Sequence, residues 1–220
     1  MKTALITGAS RGIGKAIANK LLSNGYFVIF VARNFDFKKP KNSLLLKCDL
    51  LKKEEMDNLL KQIGNINIDV LIHNVGGKIN GDSQPLSSGI LLKSMHFNLG
   101  ISTDLNAALI PLMVNNGGGK IIFISSDSAL NGNAAPGYVA AKAAINAYMK
   151  SCARYYAKQN MVIFSVLPGI VYAENAKYEK EISINRDFST PNDVADIIYS
   201  LLQSESKFIN GGEFVINGGK

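Results

Sequence analysis

The chain reads as a doubly wound α/β fold, with a parallel seven-stranded sheet carrying helices on both faces. Three observations predict it. Apolar runs of strand length alternate with longer stretches of helical period, as parallel βαβ units require. Several runs are apolar at nearly every position, as in Tyr26-Phe27-Val28-Ile29-Phe30-Val31-Ala32 and Lys120-Ile121-Ile122-Phe123-Ile124, which fits strands buried on both faces. The first run also stops at a glycine-rich turn that leads straight into a helix.

In chain order, the strand at 2–7 ends at Gly8 and a helix follows at 12–23. The second strand spans 26–32 and the third 44–48. The stretch between them is too short for a full helix, so Pro40 and the lysines around it read as a loop. A helix at 52–62 precedes a strand at 68–73. Helices are expected at 98–115 and 138–159, with strands at 120–125 and 161–167. Pro191, followed by Asn192-Asp193, starts a helix over 191–203, with Thr190 as N-cap and proline at the first helical position. The last strand falls at 212–216. With no repeat, linker or low-complexity tract, the expectation is one domain over residues 1–220.

Composition narrows the class. A chain of 220 residues that is 47% hydrophobic can bury one sizeable core, which excludes disordered and fibrous readings. Its 20 glycines gather at a few points, as tight turns require. Two cysteines, Cys48 and Cys152, are too few for a disulfide framework, so a reducing cytoplasm is the expected compartment. The N-terminal apolar run is too short for a signal peptide. Lys, Asn, Asp or Gly interrupts each hydrophobic segment before the roughly 20 residues of a membrane span, so no membrane association is expected. The charge is +7, from 24 basic and 17 acidic residues. Much of the excess is local: between Arg33 and Lys53 stand Arg33, Lys38, Lys39, Lys41, Lys47, Lys52 and Lys53 against Asp36 and Asp49.

After the first strand comes Thr7-Gly8-Ala9-Ser10-Arg11-Gly12-Ile13-Gly14, with glycines spaced G-x-x-x-G-x-G. Glycine lets the backbone approach a pyrophosphate closely, and the helix N-terminus offers unpaired N–H groups and a partial positive charge. This is the dinucleotide turn of a Rossmann unit. In such a unit the end of the second strand chooses between NAD and NADP, because an acid there bonds the ribose 2′-hydroxyl and an arginine receives a 2′-phosphate. That strand ends Val31-Ala32-Arg33-Asn34 with no acid, and Arg11 lies in the glycine turn, so NADP(H) is the predicted cofactor. Asp49, after the third strand, suits an adenine amino group, with a helix N-cap as the alternative reading.

Gly137-Tyr138-Val139-Ala140-Ala141-Lys142 opens a helix, so Tyr138 and Lys142 project from one face at i and i+4. A phenol with a pKa near 10 is a poor acid-base group at neutral pH, and a nearby ammonium favours the phenolate.

Together these pieces resemble the short-chain dehydrogenase/reductase family, and the 3-oxoacyl-(acyl-carrier-protein) reductases within it, over essentially the whole chain. Thr7-Gly8-x-x-x-Gly12-Ile13-Gly14 resembles the family's cofactor turn, and His73-Asn74-Val75-Gly76 its N-N-A-G strand end. Phe97-Asn98-Leu99 carries an asparagine like the family's helix asparagine. Ser125-Ser126, then Tyr138 and Lys142, Leu167-Pro168-Gly169 and Asn217-Gly218-Gly219 follow in family order. The resemblance implies a proton donor in Tyr138, a Lys142 that lowers its pKa and bonds the nicotinamide ribose, a serine that holds the substrate oxygen, and an Asn98 that holds a relay water. Alignment on Ile121–Ile124 and strand alternation favour Ser126 over Ser125 for the serine. The implied cofactor contacts are Gly8, Ser10, Arg11, Gly12, Ile13, Gly14, Arg33, Asp49, Leu50, Asn74, Gly76, Tyr138, Lys142, Pro168, Gly169 and Val171. No metal site is assigned.

Four departures stand out. His73 and Val75 replace the first Asn and the Ala of N-N-A-G, with His73 read as a packed strand-end residue. Ala173 stands where the family usually has a threonine that steadies the nicotinamide carboxamide. The helix between the second and third strands is missing. The segment 172–189, a substrate lid in the family, is short and charged.

The expected function is an NADP(H)-dependent reductase of a carbonyl, or an alcohol dehydrogenase in reverse, with a 3-oxoacyl thioester as the nearest substrate. A polar sugar or pteridine is equally open. A cofactor-binding sensor that has lost chemistry is the alternative from another class. Nucleic-acid binding through the basic charge lacks any recognition motif. The helices at 98–115 and 138–159 correspond to those that build the family's four-helix interface, so a homotetramer is expected, with a dimer as the other possibility.

Overall fold

The computed structural model describes residues 1–172 and 188–219. Within them, seven strands lie side by side: β1 (Thr3–Thr7), β2 (Phe27–Ala32), β3 (Ser43–Lys47), β4 (Val70–His73), β5 (Gly119–Ile124), β6 (Met161–Pro168) and β7 (Glu213–Ile216). Their order is β3-β2-β1-β4-β5-β6-β7, and every pairing is parallel. Leu5 stands opposite both Ile29 and Leu71, which places β1 at the point where the strand order reverses. A crevice opens there, beyond the carboxyl ends of the strands.

Period-two alternation divides the strand residues between two cores. Leu5, Ile29, Leu71, Ile121 and Ile163 face α2 (Lys53–Ile63), α4 (Ile101–Asn115) and α6 (Pro136–Tyr156). Ile6, Phe30, Ile72, Ile122 and Phe164 face α1 (Gly12–Ser23) and α7 (Pro191–Gln203). The strands read as unbroken apolar runs because both faces are covered.

The predicted strands match the observed ones to within two residues, and residues 33–42 form the expected loop. The predicted start at Pro191 is also observed, where Thr190 and Asp193 form a reciprocal capping box. Among the described residues, two α-helices lie outside the sequence reading. One is the single turn α5 (Ser128–Asn131). The other, α3 (Ser88–Met95), begins at Ser87, whose hydroxyl accepts from the Ile90 N–H. It runs through a π-helical turn, His96–Gly100, into α4. Asn98 therefore sits in the middle of a continuous helix and not at its start. By length and composition Ser88–Asn115 is apolar enough to cross a membrane, which corrects the reading that no segment approaches that size. Its Leu105, Leu109, Ile110 and Met113 are packed into the sheet core.

Candidate active site

Gly8 and Gly12 adopt positive φ, +66° and +54°, a region that side chains resist. At Gly14 a Cβ would lie 2.4 Å from the Gly8 carbonyl oxygen and 2.5 Å from Asn74 Nδ2. The three glycines thus let β1, the turn and α1 close on one another. Asn74 locks this arrangement from β4, because its Nδ2 donates to the carbonyls of Thr7 at 3.0 Å and Gly8 at 3.2 Å. The Thr7 hydroxyl accepts from the Asn74 and Val75 N–H groups.

The turn forms one wall of a cleft of about 610 Å³. Of the predicted cofactor contacts, Gly8, Ser10, Arg11, Gly12, Ile13, Arg33, Asp49, Leu50, Asn74, Gly76, Tyr138, Lys142, Pro168, Gly169 and Val171 line it, and Gly14 lies beneath. Arg11 and Arg33 are both exposed at this wall, with Cys48 and Leu51 beside Asp49. Asp49 Oδ1 accepts from the Leu51 N–H at 3.2 Å. A dinucleotide fits these residues: a glycine-rich backbone cradle stands at the N-terminus of α1, with one guanidinium group in that turn, Arg11, and another after the end of β2, Arg33.

At the other end of the cleft, the Ser126 hydroxyl and the Tyr138 phenol both line the wall, close enough for the serine to lower the pKa of the phenol. Ser126 Oγ also accepts from the Ser128 hydroxyl at 2.8 Å and the Ser128 N–H at 3.2 Å, so α5 holds it in place. Ser125 is turned away: its hydroxyl donates to the carbonyl of Lys142 at 3.3 Å. Of the two serines, the structure brings Ser126 to Tyr138.

Lys142 is buried, and its Nζ donates to the Ile124 carbonyl at 2.6 Å. Burial lowers its pKa to about 8. Its Nζ lies 5.5 Å from the centroid of the Tyr138 ring. The sequence reading expects that charge to lower the phenol pKa. In the structure the Tyr138 pKa is raised, with burial as the leading cause; the Ser126 hydroxyl lowers it and the nearby Asp127 carboxylate raises it further. Desolvation outweighs the favourable contacts here.

Asn98 is buried behind this end of the cleft. Its Oδ1 accepts from the Gly77 N–H at 2.8 Å, and its Nδ2 donates to the Gly77 carbonyl and the Ser94 carbonyl, both at 3.0 Å. The side chain thereby clamps the strand-end loop. At Gly76 a Cβ would stand 2.6 Å from Asn98 Oδ1 and 3.3 Å from Lys142 Nζ, so glycine keeps those two groups near each other.

His73 packs in the core, with its ring 4.8 Å from Phe123 and Nε2 2.7 Å from Asn106 Oδ1. Burial lowers its pKa to about 4. It takes no part in the cleft. Ala173 and most of the expected lid fall at 173–187, outside the described residues.

Three groups escaped the sequence reading. Ser128 supports Ser126, Asp127 acts electrostatically on Tyr138, and Asp82 accepts from the N–H groups of Gly137 and Tyr138. The first two lie beside Ser126 in sequence and were open to notice. Asp82 has no local signal.

Comparison with known proteins gives the same architecture. Carbonyl reductase family member 4 of Xenopus laevis is 31% identical over 233 residues, covering 99% of this chain and 97% of that protein. A 3-oxoacyl-(acyl-carrier-protein) reductase, FabG, of Rickettsia bellii (strain RML369-C) is 32% identical over 235 residues, covering 99% and 96%. The solved structure of a 4-hydroxyisoleucine dehydrogenase complexed with NADH superposes with a TM-score of 0.86 at 26% identity, covering 99% of this chain and 98% of that one. A family model described as short chain dehydrogenase matches residues 2–182. With its parallel sheet, glycine turn and relatives above 30% identity along nearly its full length, the chain belongs to the short-chain dehydrogenase/reductase family of oxidoreductases.

Proposed function

We propose that the protein is an NADP(H)-dependent reductase of a carbonyl compound, working in reverse as an alcohol dehydrogenase, with a 3-oxoacyl thioester as its nearest substrate. One observation carries the reading: Ser126, Tyr138 and Lys142 converge at the end of a cleft whose other end is a dinucleotide turn.

When bound, the nicotinamide supplies a hydride to the carbonyl carbon. The chain's own residues handle the oxygen and the proton. The Ser126 hydroxyl, aligned by Ser128, is a hydrogen-bond donor for the substrate oxygen. Tyr138 gives that oxygen its proton, and its raised pKa keeps the phenol protonated at neutral pH, the form a reduction needs. Lys142, with a pKa of about 8, exchanges protons near physiological pH and is the residue that would bond the nicotinamide ribose. Asn98 holds the loop against which Lys142 is set.

The NADP(H) preference rests on Arg33 and Arg11 at the cleft wall and on the absence of an acid at the end of β2. The carbonyl and 3-oxoacyl reductase relatives support the reaction direction. The same reading has residues 1–220 acting as one domain, in a cytoplasmic homotetramer built on α4 and α6, and both free cysteines are buried in keeping with a reducing compartment.

The test is a parallel titration of the purified protein with NADPH and NADH, followed by NADPH oxidation assays on acetoacetyl-coenzyme A, a ketose and a pteridine. Tight NADPH binding with turnover of one of these supports the proposal. Cofactor binding without turnover on any carbonyl makes the sensor reading the better one. Tyr138→Phe is expected to abolish nearly all turnover and leave NADPH binding intact.

A further inference from the structure

Helix α6 begins without a cap of its own. Its N-cap residue, Ala135, has no side-chain acceptor, and Pro136 has no N–H to satisfy. The next two N–H groups, of Gly137 and Tyr138, are those a local N-cap side chain would take. Both instead donate to one carboxylate from another part of the chain: Gly137 N to Asp82 Oδ1 at 2.7 Å, and Tyr138 N to Asp82 Oδ2 at 2.9 Å.

Asp82 is 1% exposed. Among the described residues no cation lies within 4 Å of its carboxylate, so the positive end of α6 and these two N–H groups balance its charge. The fit is tight. A Cβ on Gly137 would fall 2.8 Å from Asp82 Oδ1 and 3.1 Å from its Cγ, so a side chain at 137 would push the carboxylate away from the two amides.

The loop that carries Asp82 is anchored at its other end in the cleft. It leaves β4 through Asn74 and Gly76, and Asn98 grips Gly77 by both its N–H and its carbonyl. One loop thus joins the wall of the cofactor cleft to the backbone of the tyrosine. Tyr138 occupies the first turn of its helix, where fraying is greatest, and its hydroxyl must still meet Ser126.

We propose that Asp82 is a positioning residue for the reaction: it clamps the backbone of Tyr138 so that the phenol is held in register with Ser126. This rests on the reductase reading above.

Two variants test it. Asp82→Asn keeps the shape but presents an amide NH2, a donor, where one of the two N–H groups needs an acceptor. Gly137→Ala keeps the carboxylate and displaces it. Alanine is the better helix former, so a purely helix-stabilising role for position 137 predicts an unharmed enzyme. For each, kcat is measured on whichever of acetoacetyl-coenzyme A, fructose and sepiapterin the wild type reduces, the NADPH Kd by fluorescence, and amide exchange by NMR.

Both variants are expected to lose kcat by about 100-fold, the effect of a displacement near 1 Å, with the NADPH Kd changed less than about 2-fold. In both, the backbone amides at positions 137 and 138 exchange faster while that of Met149, deep in the same helix, does not. A kcat within about 2-fold of wild type in either variant overturns the inference, as does a loss of cofactor binding equal to the loss of kcat. If Asp82→Asn does not fold, Gly137→Ala decides alone. A wild type without turnover sinks the reductase reading and this inference together; a wild type with turnover and an active Gly137→Ala sinks the inference only.

Discussion

The Nζ of Lys142 donates to the carbonyl oxygen of Ile124 at 2.6 Å, the residue that ends β5 just before Ser125-Ser126. A buried ammonium is thereby fastened to the strand that delivers the serine. Its pKa of about 8 means that burial opposes the charge the site uses.

Lysine 142 should consequently cost stability while it serves catalysis. A lysine whose folded pKa lies below its unfolded value destabilises the fold at every pH below the folded pKa, and the penalty fades as pH rises from about 8 towards 10.5. The shift corresponds to about 3 kcal/mol, part of which the bond to Ile124 returns. Lys142→Met is expected to melt no lower than wild type at pH 7, with the difference declining by pH 10, and to lose kcat by about 10²–10⁴-fold. Thermal melts at the two pH values check the sign; a large drop in Tm at pH 7 contradicts it.

Asp127 raises the pKa of Tyr138, so Asp127→Asn should lower it. Reduction needs the protonated phenol and oxidation the phenolate. In the variant, the alkaline limb of the reduction profile moves to lower pH, and alcohol oxidation reaches half its maximum at lower pH. The kcat–pH profiles in both directions measure the shift, and an unmoved profile rejects the assignment.

Arg33→Ala should separate the two cofactors. Loss of a charge-assisted contact to a 2′-phosphate removes about 1.5–3 kcal/mol, or about 10- to 150-fold in NADPH affinity, with NADH changed less than about 2-fold. Equal losses for both remove the basis of the NADP(H) preference.

His73 is neutral in the fold, with a pKa of about 4 against 6.5 when exposed. The unfolded chain binds a proton there that the folded chain rejects, so stability falls as pH drops from 6.5 towards 4, by about 3 kcal/mol over the full range. Replacement by Asn, which can still bond Asn106, should flatten this part of the Tm–pH curve between pH 7 and 4.5 and leave kcat at neutral pH within about 2-fold.

How much of this was legible in the chain depended on whether the signal was local. The strands were readable because β2 and β5 are buried on both faces and spell that out residue by residue. The glycine turn was readable because its chemistry is confined to residues 7–14. Helix α3 was not, because its one fully buried residue is the polar Ser94, while Ile90, Leu91 and Met95 are only half-buried and Leu92 is exposed, so the apolar residues of this short segment do not mark a buried face. Asp82 was hidden for a different reason, since its partners lie 55 and 56 residues away. The tyrosine pKa was misjudged because spacing reveals a neighbouring charge and says nothing about burial.

The π-helical turn at His96–Gly100 makes the site sensitive to residue number as well as residue type. A π turn holds one residue more than an α turn, and each residue of an α-helix advances the chain by about 100° around its axis. Removing one residue from 96–100 would leave an ordinary α-helix that is out of phase by that angle. Either Asn98 would swing away from Gly77, or Ile101, Leu105 and Leu109 would swing away from the sheet. A change of length in the turn forces a choice between the loop that faces the cofactor cleft and the core beneath it, so this short stretch sets the reading frame of the whole helix.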